Sequence, residues 1–156
     1  MKGTKDLADC IPKELAIKIR ENGREQDYQP VYRVAKRGII DEIAFMGTYE
    51  EYLFDNRNFN KDLNEIGSYS TSCYLSTKYP KKFLGYLKER LYKIYPYPII
   101  IQGSTICGLS QLTIERLPDY PEEDHIDWWI YKDCTEELIQ SFTVVEESEY
   151  GGGDLE

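Results

Sequence analysis

Apolar residues along the chain recur every third or fourth position in some stretches and every second position in others. The first stretch, DCIPKELAIKIRENG (9–23), predicts a helix: Pro12 suits the first turn, Leu15, Ile17 and Ile19 give an apolar side, and Gly23 can close the end. QPVYRVAKRG (29–38) alternates, with Val31, Arg33 and Ala35 facing one way and Tyr32 and Val34 the other, and predicts a strand ended by Gly38. DEIAFMGTYEEYLFDN (41–56) reads as a turn and a short helix, with Thr48 able to cap a run through Tyr52 and Phe54. An Asn-rich loop over 56–67 leads into GSYSTSCYL (67–75), read as a strand.

The clearest helix is predicted over 77–96, where Phe83, Leu84, Leu87, Leu91 and Ile94 recur at helical spacing and Pro96 stops the run. PIIIQG (98–103), a short run led by three isoleucines and bounded by Pro and Gly, fits a central strand. STICGLSQLTIERL (104–117) continues as a loop and another strand, and PDYPEED (118–124) as an acidic, turn-rich link. In HIDWWIYKD (125–133), Ile126, Trp128 and Ile130 oppose His125, Asp127, Trp129 and Tyr131; large residues on both faces predict an inner strand. Asp133 and Glu136 form a capping-box-like start for a helix, and FTVVEE (142–147) is an edge strand. Helices and strands alternate irregularly, without an even βαβ rhythm. The expected class is α+β, with a mixed or mostly antiparallel sheet and flanking helices: one domain over 1–147 and a flexible acidic, Gly-rich tail over 148–156.

Composition narrows the function. A net charge of −9 repels phosphate backbones and anionic lipid, so neither nucleic acid nor membrane is the expected partner. Cys10, Cys73, Cys107 and Cys134 form no C-x-x-C pair, and with one histidine they suggest neither a metal set nor a disulfide frame. No apolar leader opens the sequence, and the expected setting is cytoplasmic with reduced thiols. The 14 tyrosines against 5 phenylalanines suit half-buried strand positions, or a stacking surface for a planar ligand or partner. His125 can pair with Cys73 or Cys107 as thiol and imidazole, or serve as a structural hydrogen-bonder. GSTICGLS (103–110) lacks the lysine and spacing of a phosphate loop and reads as a tight loop or as a nest for an anion.

PVYRV, followed by YSTSCY and then by acidic residues ahead of a late strand, resembles the Arg…Ser-Thr-Ser…Glu order of ADP-ribosyltransferases. The resemblance implies a split, mostly antiparallel sheet with flanking helices and NAD as cofactor, without a metal. It implies that Arg33 grips phosphate or the nicotinamide amide, that Ser70, Thr71 and Ser72 shape the nicotinamide-ribose pocket, and that a glutamate steadies the developing oxocarbenium ion. A guanidinium, small hydroxyls and a carboxylate are suited to those tasks. The family's acidic motif is Glu or Gln, one residue, then Glu. The candidates for its glutamate are Glu115, with Gln111 four residues before it, and Glu123 beside Glu122. The acceptor would be a cytosolic macromolecule. The competing expectation is a non-enzymatic, acidic, tyrosine-rich module that binds a protein target as an inhibitor or charge mimic, with EEDHID and EESEY as its acidic clusters.

Overall fold

The structure, a computed structural model, describes residues 5–150. Six strands form one antiparallel sheet: β1 (Val31–Ala35), β2 (Thr71–Tyr74), β3 (Ile99–Gly103), β4 (Gly108–Leu112), β5 (His125–Ile130) and β6 (Thr143–Val145), in the order β4-β5-β2-β1-β3-β6. Four helices flank it: α1 (Lys13–Asn22), α2 (Thr48–Phe54), α3 (Lys78–Arg90) and α4 (Thr135–Ser141). The expected α+β class with an antiparallel sheet is the fold observed. Among the described residues no helix is long and apolar enough to cross a membrane.

The sheet is nearly divided. β1 and β3 pair through five residues and β2 and β5 through four, but β1 meets β2 only at Tyr32 and Tyr74. One half is therefore β4-β5-β2 and the other β1-β3-β6. On one face Val31, Ala35, Cys73, Ile101, Ile126 and Trp128 form a shared core with Phe45, Leu138 and Phe142. On the opposite face each half packs separately. Leu109 and Trp129 meet Leu15 and Ile19 of α1, while Val34, Ile100 and Val145 meet Leu84 and Leu87 of α3. The adjacent tryptophans thus serve two cores, and both are buried, so neither ring lines a pocket or an interface. Burying an apolar side chain of this size contributes roughly 1.5–3 kcal/mol.

Several predicted details change. α1 begins after Pro12 and ends where Gly23 N–H bonds the Ile19 carbonyl, but Ile17 faces solvent. The N-cap of α2 is Gly47, and the Thr48 hydroxyl bonds the Ser70 carbonyl instead. Residues 66–69 form a 3-10 turn before the shorter strand β2. α3 stops at Arg90, leaving Ile94 exposed beyond it. α4 starts at Thr135 with Cys134 at its N-cap and no side-chain cap. Residues 148–150 of the expected flexible tail are placed: Glu147–Glu149 form a 3-10 turn, and Thr77 Oγ1 donates to the Tyr150 carbonyl at 2.8 Å. Residues 151–156 lie outside the described residues.

Candidate functional site

The alternation of β5 puts His125, Asp127 and Trp129 on one face of the sheet. The antiparallel register sets Ser72 of β2 directly opposite Asp127, and Tyr74 opposite His125. The 3-10 turn after β4, Thr113–Glu115, then brings Thr113 and Arg116 over the same patch. Ser72, Thr113, Arg116, His125 and Asp127 line a cleft of about 210 Å³ with Thr48, Lys61, Glu65 and Tyr120.

Asp127 is the buried centre of this patch. Its Oδ1 accepts from the Ser70 hydroxyl at 2.6 Å; its Oδ2 accepts from Thr113 at 2.9 Å and from Arg116 Nη2 at 2.8 Å. Arg116 also pairs with Glu65 at 2.7 Å and donates to Gln111. A buried carboxylate is tolerated only when its lone pairs are met in this way. Gly67 makes the close packing possible: a Cβ there would stand 2.7 Å from Glu65 Oε1 and 3.2 Å from Asp127 Oδ1.

The hydrogen bonds around His125 determine their own direction. Its Nδ1 is 2.6 Å from Thr113 Oγ1 and its Nε2 is 2.8 Å from Ser72 Oγ. A carboxylate only accepts, so Thr113 gives its single proton to Asp127 and accepts from Nδ1–H. Burial lowers the pKa of His125 and keeps the ring neutral, although Asp127 and neighbouring carboxylates oppose the shift. Nε2 therefore carries a lone pair and accepts from Ser72. With its proton committed to the imidazole, Ser72 Oγ presents lone pairs to the cleft. Tyr120 lies tilted against the imidazole at 4.9 Å, and Tyr74 meets it edge-on at 5.2 Å.

The residues expected from sequence divide by position. Ser72 faces the cleft; Ser70 is fully buried as a support for Asp127; Thr71 points to the other face and bonds the Phe45 carbonyl at 2.8 Å. Arg33 lies on the next strand, as a neighbour of the Ser-Thr-Ser segment, but on the sheet face opposite Ser72 Oγ. Its Nη1 donates to the Ser72 carbonyl, and its Nε is buried without a hydrogen-bond partner. The hollow beside Arg33 is about 10 Å³, room for about one water and not for a pyrophosphate. Neither expected glutamate reaches the cleft. Glu115 is exposed at the end of its turn, and Glu123 is exposed and held by Lys78 and the Tyr79 hydroxyl. Glu122 accepts from the Tyr74 hydroxyl. The imidazole pairs with neither Cys73, which lies on the other face, nor Cys107.

The carboxylate that sequence reasoning missed is Asp127. Two signals pointed to it: strand alternation put it beside His125, and His125-Ile126-Asp127 has the two-residue spacing of the family's Glu/Gln-x-Glu motif with other residue types. Arg116, Thr113 and Glu65 carried no comparable signal. No family model, curated protein or solved structure matches the chain.

Proposed function

We propose that the chain is an NAD-dependent ADP-ribosyltransferase-like protein whose cleft, between Ser72 and Asp127, receives the nicotinamide-ribose part of NAD. The observation that carries this reading is the direct opposition of Ser72 and Asp127 across β2 and β5, beside the place where the sheet divides. The sequence resemblance implies a split antiparallel sheet with a Ser-Thr-Ser segment near a glutamate; in this reading Asp127 takes the glutamate's part.

The lining suits that chemistry. Cleaving the bond from ribose C1′ to the nicotinamide nitrogen develops positive charge on the sugar as neutral nicotinamide departs. Asp127, held in place by hydrogen bonds from Arg116, Thr113 and Ser70, is preorganised to stabilise that charge. Ser72 Oγ and the partly exposed Glu65 accept from ribose hydroxyls or from the carboxamide N–H. Tyr120 offers a ring face to the nicotinamide, and exposed Lys61 stands on the rim where phosphates would leave the cleft. A nucleophile on an acceptor macromolecule then takes the ribosyl C1′.

The test is thermal stabilisation by NAD together with release of free nicotinamide. The wild type should show both, while Ser72→Ala and Glu65→Gln should reduce the NAD response without unfolding. A hydrogen bond lost to a neutral or charged partner corresponds to roughly 0.5–3 kcal/mol, up to about a hundredfold in affinity. No shift in melting temperature at millimolar NAD and no nicotinamide release would overturn the proposal and favour the non-enzymatic protein-binding alternative. The proton arrangement of Ser72 and His125 supports a second reading, a serine activated for acyl transfer. Covalent labelling of Ser72 by a fluorophosphonate, without any NAD response, would favour that one.

A further inference from the structure

A hollow of about 450 Å³ lies at the other end of the β4–β5 pair from Ser72. Cys107, immediately before β4, and Cys134, immediately before α4, are 27 positions apart in sequence, so no local spacing announces them. The fold suspends both from one residue. Tyr131 N–H donates to the Cys107 carbonyl at 2.9 Å, and Cys134 N–H donates to the Tyr131 carbonyl at 3.1 Å. Glu137, in the first turn of α4, completes the group. The Sγ atoms of Cys107 and Cys134 and a carboxylate oxygen of Glu137 all lie within 4.8 Å of one another.

We propose that Cys107, Cys134 and Glu137 form a binding site for a thiophilic divalent cation of the zinc class. Two thiolates and one carboxylate are ligand types zinc accepts, and softer thiolate donors select it over magnesium or calcium. Tetrahedral zinc, with bonds of about 2.0–2.3 Å, holds its donor atoms roughly 3.5–3.8 Å apart, so closure from the observed spacing requires movement on the order of 1 Å. All three residues border the hollow, which supplies an entry path and leaves the fourth position for water or a ligand. Glu25, Asp27 and Asp133 line the same hollow beside Lys5, which pairs with Glu25 at 2.9 Å, and the surplus of carboxylates over this ammonium favours a cation. The site is independent of the NAD reading: it stands at the opposite end of the strand pair and shares no residue with the Ser72 cleft.

The test uses the full chain, fully reduced. Titration with Co²⁺ should produce thiolate-to-cobalt charge-transfer absorption, and Zn²⁺ should abolish that absorption by displacement. Cys107→Ser with Cys134→Ser should remove the signal, Cys10→Ser should leave it intact, and Glu137→Gln should weaken zinc binding by at least about tenfold, the scale on which even outer-shell partners act. A measurement on the unmodified sequence guards against a double variant that does not fold. Zn²⁺ should protect Cys107 and Cys134 from alkylation while Cys10 stays reactive, with the sites read by peptide mass spectrometry. Absence of charge-transfer absorption in the wild type, an unchanged signal in a folded double variant, or protection that does not distinguish Cys10 would each overturn the proposal.

Discussion

A neutral imidazole enclosed by protein resists protonation because the charged form loses its hydration. Burial lowers the pKa of His125, whereas in the unfolded chain the ring titrates at its ordinary value. Between those two values the unfolded chain binds more protons than the folded one, so stability falls as pH falls. The contribution is whole above the ordinary imidazole range and is lost as pH drops through the folded value. The expected outcome is a melting temperature that declines on acidification from neutrality, and a His125→Gln variant with a flatter profile over the same interval. Parallel profiles would show that His125 is not the group responsible. Individual side chains were the least legible feature in sequence. Glu115 and Glu123 matched a motif by residue type, whereas Asp127 stands opposite Ser72 through strand register alone. Which carboxylate meets Ser72 depends on register, and a contact between residues 55 positions apart has no local signature.

At the scale of elements, periodicity identified the buried faces better than it identified the ends. The apolar positions predicted for α3 include Leu84 and Leu87, which are buried, but the helix stops before Ile94 because the chain turns at Leu91–Tyr95. Predicted caps at Thr48 and Asp133 miss by one position, because the N-cap residues are Gly47 and Cys134. The Thr48 hydroxyl is taken by the Ser70 carbonyl. A testable consequence lies in the middle of α3. Gly85 is exposed, and a Cβ there would meet nothing within 4 Å. Gly85→Ala should therefore stabilise the protein by about 0.5–1 kcal/mol, because alanine loses less backbone entropy on entering a helix. Calorimetry or denaturant titration should detect a higher midpoint with an unchanged slope, and a lower midpoint would show that α3 tolerates no side chain at that point.

The whole molecule depends on how its two half-sheets are joined. β1 and β2 share one residue pair, and beside it Arg33 crosses from β1 to the Ser72 carbonyl of β2. Lysine keeps the charge but not the planar fork that spans this gap. Arg33→Lys should therefore destabilise the fold by roughly 1.5–3 kcal/mol, the scale of a hydrogen bond from a charged donor. Any NAD-induced stabilisation should persist, because the guanidinium lies across the sheet from the Ser72 hydroxyl. An unchanged melting temperature with a lost NAD response would reverse this assignment and make Arg33 a ligand-binding residue.

By itself the sequence determined the α+β class, the inner position of the HIDWWI strand, the edge position of the last strand and the opposed faces of Trp128 and Trp129. Each follows from local periodicity, because a strand or helix with one apolar pattern has few ways to bury it. Only the tertiary structure decided that the sheet divides between β1 and β2, that Asp127 rather than a glutamate faces Ser72, and that Cys107 meets Cys134. Those outcomes depend on strand order and register, which are determined by how whole elements pack and not by any window of neighbouring residues.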